Sequence, residues 1–142
     1  MTIATRNIEV GQELPPVRKE ISFEDMRLFS MWSNLNIHTD WKSAKKAGLP
    51  APIAQGLMSH AYLSEMLTRF FGKNWLQGGT LSIKFIGYTL PGDVITTRGI
   101  VRERVPEGSA IRLNCEVWCE SLSGEKTVVG TASALVNGKG VI

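Results

Sequence analysis

Two short segments concentrate residue types that do chemistry. Trp32 to Asp40 reads Trp-Ser-Asn-Leu-Asn-Ile-His-Thr-Asp and gathers a histidine, two asparagines and an aspartate between two helical patterns. Ala51 to Met58 reads Ala-Pro-Ile-Ala-Gln-Gly-Leu-Met and delivers Gly56 at the start of a long apolar helical pattern. A neutral imidazole takes a proton from a water molecule, which makes His38 a candidate acid–base group. The first N–H groups of a helix have no partner within it and lie at its positive end, so Gly56 opens a site for a carbonyl oxygen or an oxyanion. Each residue also has a plain structural reading. His38 would serve as a hydrogen-bonded residue flanking a helix, and Gly56 as the residue that lets a helix start close to a neighbouring backbone.

These segments need elements to hold them. Ser22 is placed to cap a first helix, with Glu24 and Asp25 in its first turn, where negative charge suits the helix dipole. Phe23, Met26, Phe29 and Trp32, widened by Leu28 and Met31, predict its apolar stripe. Asp40 is placed to cap a short second helix through Trp41, Ala44 and Ala47, which Gly48 stops. Gly56 to Phe71 is apolar at more than half of its positions, which predicts a helix buried along most of its length. His60, Ser64 and Thr68 form a narrow polar stripe on it; His60 and Ser64 read as core polar groups, with Ser64 also in reach of a water at the site. Glu65 and Arg69 suit an exposed strip.

From residue 75 onward apolar and polar residues alternate. Ile111, Leu113, Cys115, Val117 and Cys119 face one way, and Arg112, Asn114, Glu116 and Glu120 the other. Breaks at Pro91-Gly92-Asp93, Pro106-Glu107-Gly108 and Ser123-Gly124 divide strands near 79–88, 93–105, 109–121 and 125–136. Four strands in a meander and one apolar helix predict an α+β domain, a curled antiparallel sheet around that helix. So small a sheet leaves edges open, which predicts edge pairing between subunits.

With 142 residues the chain has room for one domain, spanning 1–142. The 16 Lys+Arg against 13 Asp+Glu are scattered, so no basic tract points to nucleic acid. Lys84, Arg98 and Arg102 read as a solvated sheet face, with a phosphate contact as the alternative. No apolar run reaches the roughly 20 residues that cross a bilayer. Met1 to Val10 lacks the apolar core of a signal peptide, and a cytoplasmic protein is expected. Cys115 and Cys119 sit four apart on one strand face, too far apart to bridge, and both histidines are remote from them, so buried free thiols and no metal site are expected. Trp32 and Trp75 read as core or pocket walls.

The motifs resemble those of the MaoC-like hydratases, the family that includes R-specific enoyl-CoA hydratases. That family carries Gly-Asp-x-Asn-Pro-(Leu/Ile)-His-x-Asp, an Ala-rich helix and Pro-Ile-(Ala)-His-Gly-(Met/Leu). Here stand Ile37-His38-Thr39-Asp40, Ala44, Ala47, Pro52-Ile53-Ala54 and Gly56-Leu57-Met58, and Phe85 to Asp93 is similar to a later strand and turn. The resemblance covers about residues 8 to 136. It implies the hotdog fold, a homodimer or higher homo-oligomer, and reversible addition of water to a 2-enoyl thioester. No cofactor is implied, with a coenzyme A thioester as substrate. His38 would be the catalytic imidazole and the Gly56 N–H the donor to the thioester carbonyl, with Asn36, Gln55 and Ser64 contacting substrate.

The chain departs from the family at two places. Counted back from His38 without a gap, the family's catalytic Asp falls on Ser33. With the family's Pro deleted it falls on Asn34, and Ser33-Asn34-Leu35-Asn36 then maps onto Gly-Asp-x-Asn, the preferred alignment. An asparagine holds a water through its amide oxygen but is no base. Gln55 replaces the second motif's histidine. The alternatives are therefore a non-catalytic hotdog subunit paired with a second MaoC-like chain in a heteromer, and a hotdog thioesterase or acyl-binding protein.

Overall fold

The computed structural model describes residues 8–31 and 35–137. A short strand β1 (Arg18–Glu20) leads to helices α1 (Phe23–Phe29), α2 (Trp41–Lys46), α3 (Gly56–Phe71) and α4 (Lys73–Gly78). Strands β2 (Thr80–Phe85), β3 (Val94–Glu107), β4 (Ala110–Glu120) and β5 (Lys126–Asn137) follow. The caps form as the sequence predicts. Ser22 Oγ accepts the Asp25 N–H at 3.0 Å. Asp40 Oδ2 accepts both the backbone N–H and the hydroxyl of Ser43, at 2.9 and 2.7 Å. Those two bonds, the hydroxyl's first, hold the Asp40 carboxyl below the usual carboxylate range.

The apolar stripe expected on α1 is not buried as a stripe. The helix ends at Phe29, and Met31 turns the chain with a positive φ of 57° and stands 84% exposed. Met26 is its buried residue, while Leu28 and Phe29 face outward. Trp32 lies outside the described residues.

All five strands pair antiparallel in the order β1-β3-β4-β5-β2, which corrects the expected four-strand meander. β3, β4 and β5 are neighbours in sequence, but β2 pairs with β5, from Thr80 opposite Ser133 to Phe85 opposite Val128. The chain therefore crosses three strand spacings between β2 and β3, about 14 Å. The eight residues of 86–93 reach roughly 27 Å when extended, which suffices. β1 and α4 are additional to the expected elements. β1 and the arm before it cover the outer edge of β3, through Gly11 N–H to Val101 O at 2.7 Å and Leu14 N–H to Gly99 O at 2.9 Å. Among the described residues, no strand lies outside β2.

The sheet wraps α3. Leu63, Met66, Leu67, Phe70 and Phe71 are fully buried against Val101, Leu113, Val117, Cys119 and Ala134. Gly99 permits this approach, since a Cβ there would meet Leu14 and Met66 at 3.1 Å. Cys115 and Cys119 are free and buried, and burial pushes both thiols up to about 12, which leaves them as inert thiols at neutral pH. His60 stands exposed on α3, in place of the core position expected of it, on the opposite side of its turn from the buried Met58 and Ser59. Among the described residues, no helix is long and apolar enough to cross a membrane.

Candidate active site

The turn from Asn36 to Asp40 is closed by its own hydrogen bonds. Asn36 Oδ1 accepts the His38 N–H at 2.8 Å, and Thr39 Oγ1 accepts the Asn36 N–H at 3.1 Å. The Asn36 carbonyl takes the N–H of Asp40 at 3.0 Å. Asparagine favours such turns because its short amide mimics a backbone group. The Ala51–Gln55 segment then runs alongside, with the Ile53 N–H donating to Ile37 O at 3.0 Å.

This pairing sets the imidazole. His38 Nδ1 lies 2.8 Å from the Ile53 carbonyl oxygen. A carbonyl oxygen only accepts, so Nδ1 carries the proton. In the neutral ring Nε2 then holds a lone pair that is free to receive a proton. His38 lines a cavity of about 300 Å³ together with Gly56, Ser59, Phe85, Tyr88 and Thr127.

Gly56 opens α3 inside this cavity. Gln55 before it is extended and makes no side-chain cap, so the first N–H groups of the helix are not closed off by a capping side chain. A helix start of this kind donates to an incoming oxygen. Two contacts fix the entry. Ala54 N–H donates to Thr89 O at 2.9 Å, and Gln55 Nε2 donates to Ser30 Oγ at 2.7 Å. The β2–β3 crossover supplies Tyr88 and Thr89 to the wall, so the unexpected strand order helps build the site. Phe85 packs on the glycine itself, since a Cβ at Gly56 would lie 2.7 Å from Phe85 Cε1.

The structure thus brings His38 and Gly56 to one cavity and gives the other candidates different surroundings. Asn36 holds the His38 turn, and Gln55 holds Ser30. Ser64 accepts the Trp75 indole N–H at 3.1 Å and is not among the residues lining the cavity, and Trp75 is core. Asn34 and Ser33 lie outside the described residues. Asp40 spends its carboxylate on the α2 cap. Among the described residues lining the cavity, His38 and Tyr88 are the titratable ones. Ser59, Thr89 and Thr127 carry no signal in the sequence beyond strand or helix patterning.

A larger groove of about 730 Å³ crosses the sheet near Arg102 and Asn114. Its charged groups and its amide are already paired. Arg102 pairs with Glu116 at 2.7 Å, and Asn114 donates to Glu103 at 2.9 Å. Arg98 is likewise paired, with Glu120 at 2.7 Å. The open base and the free helix start are in the smaller cavity.

Comparison with known proteins places the fold. The chain is similar in fold to the unliganded R-hydratase PhaJ1 of Pseudomonas aeruginosa, with a TM-score of 0.73 and 23% identity over 92% of this chain and 83% of that one. A MaoC-like dehydratase of Rhodospirillum rubrum gives 0.76 and 17% over 92% and 93%. The ChsH1-ChsH2 complex of Mycobacterium tuberculosis gives 0.70 and 16% over 91% and 97%. None of the curated proteins matches the chain in sequence. The MaoC-like domain model matches residues 7–132, nearly the whole of a sheet wound about one helix with an imidazole at the helix start, and the chain belongs to the MaoC-like family of hotdog domains.

Proposed function

We propose that this protein is a hydratase/dehydratase of acyl thioesters, adding water reversibly to a 2-enoyl coenzyme A. The observation that carries the reading is the shared cavity of His38, with its open Nε2, and the uncapped start of α3 at Gly56. The Gly56 N–H would hold the thioester carbonyl oxygen and stabilise the enolate as it forms. His38 Nε2 would take one proton from water as the oxygen bonds to C3, and the imidazolium so formed would return that proton to C2, collapsing the enolate to the 3-hydroxyacyl thioester. Asn34 would hold that water through its amide oxygen, and Asn36 and Gln55 would fix the two arms of the site. Spectrophotometry of pure protein with enoyl-CoA thioesters of several chain lengths tests this. Loss of the conjugated double bond without thiol release is the expected result. Thiol release alone would make the protein a thioesterase.

Asn34 in the place of the family's aspartate favours a second reading, a subunit that completes a partner's site. The similar fold in the ChsH1-ChsH2 complex is compatible with such an assembly. Inertness of the pure chain toward every thioester, restored by a second MaoC-like chain, would select it.

Among the described residues no strand covers the outer edge of β2, which bears on assembly in either reading. Leu57, Phe85, Ile86 and Tyr88 are exposed beside it, close to the cavity. A stable sheet edge flanked by apolar side chains is usually paired. Light scattering at micromolar concentration is expected to give twice the chain mass, and a folded monomer would contradict the pairing.

A further inference from the structure

We infer that Thr127 is a ligand-contacting residue, whose hydroxyl is a hydrogen-bond partner for an oxygen of the bound acyl thioester. The inference rests on the function proposed above and adds a residue to its site. The register of β4 and β5 slips at this point. Cys119 pairs with Val128 and Glu120 with Lys126, so Thr127 is the extra residue of a bulge. Bulges re-aim side chains and gather beside active sites. The Thr127 carbonyl accepts two N–H groups from the crossover, those of Ile86 at 2.9 Å and Gly87 at 3.1 Å, which pins the backbone.

The side chain is another matter. Thr127 is 7% exposed, and its Oγ1 is the buried side-chain polar atom without a hydrogen-bond partner among the described residues. Thr127 lines the cavity of His38 and Gly56 as a residue, with its hydroxyl seated just under the wall, where a turn about the Cα–Cβ bond to another staggered rotamer presents it to the cavity. Its other flank borders a hollow with Asp93 and Lys126, neither of which bonds to the hydroxyl. A buried hydroxyl without a partner is destabilising, and such groups are kept where something arrives to satisfy them. A thioester supplies a carbonyl oxygen, and its hydration product adds a hydroxyl. Either is a match for a group that both donates and accepts.

The test compares Thr127→Val and Thr127→Ser with the parent chain, using crotonyl-CoA hydration and thermal unfolding. Valine keeps the shape and removes the oxygen. Thr127→Val should lose at least about fivefold in kcat/KM, with its unfolding midpoint unchanged or raised, because no protein hydrogen bond is lost. Thr127→Ser should stay within about twofold of the parent. Equal activity of Thr127→Val, or a midpoint lowered by several degrees, would overturn the inference while leaving the hydratase reading intact. If the parent itself does not turn over crotonyl-CoA, the hydratase reading fails on its own. Calorimetric titration with crotonyl-CoA then decides: a loss of about fivefold or more in the affinity of Thr127→Val upholds the contact. Equal affinity, or no binding by the parent, overturns it.

Discussion

Replacing His38 with alanine is expected to lower kcat/KM for enoyl-CoA hydration by about 100- to 10,000-fold, the usual worth of one general acid–base group. The protein should remain folded. His38 sits half-buried on a turn that Asn36 and Thr39 close through the backbone, so its loss opens no core cavity. What is lost is the Nδ1–H bond to Ile53 O, about 1 kcal/mol. His38→Asn separates the two contributions. Its amide nitrogen stands near the place of Nδ1 and can still donate to Ile53, but it offers no base. The asparagine variant is therefore expected to unfold near the parent's midpoint and to be as inactive as the alanine variant. Turnover within a few-fold of the parent in either variant would make His38 a structural tether and move the proton transfer elsewhere.

The tether was not legible in the sequence, although the histidine was. Local signals read well because they act over a few residues. The Ser22 and Asp40 caps, the long helix from Gly56 to Phe71, and the alternation on β3, β4 and β5 follow from side chains whose partners are near in the chain. The order of the strands is a different matter. Nothing in the pattern of residues 80–85 says that they pair with β5 rather than β3, because alternation fixes which face is buried and not which neighbour supplies the hydrogen bonds. The α1 stripe misled for a related reason. Periodicity marks apolar residues without saying whether the helix continues, and Met31 with its positive φ ends it.

The same division runs through the site. His38 and Gly56 stand out through short motifs that belong to turns and helix starts. The parts that complete the cavity are long-range products of the fold. Tyr88 and Thr89 arrive on the crossover, and Thr127 arrives through a bulge that only the pairing of β4 with β5 creates. Ser64 read as a neighbour of the site because it shares a helix with Gly56. Two turns further on, it faces Trp75.

Gly56→Ala is expected to cut kcat/KM by about a hundredfold with little effect on stability, because a displacement near 1 Å at the reacting centre costs that much. The alanine keeps the N–H, so the loss would come from position. The new Cβ would lie 2.7 and 2.8 Å from Phe85 Cε1 and Cζ, closer than carbon atoms approach. The Phe85 ring is 50% exposed in the single chain, so its side chain rather than the backbone gives way, which holds the stability cost to about 1 kcal/mol. Its displacement moves a wall of the cavity and re-aims whatever oxygen the helix start receives. A double-mutant cycle with Phe85→Ala isolates this cause. In the Phe85→Ala background the methyl has room, and Gly56→Ala should cost less than about tenfold. A full hundredfold loss in that background would mean that the methyl itself blocks the ligand's approach to the amide. Parental kcat/KM for Gly56→Ala in the unaltered background would remove the start of α3 from the chemistry, and leave Gly56 a glycine only for the packing of Phe85.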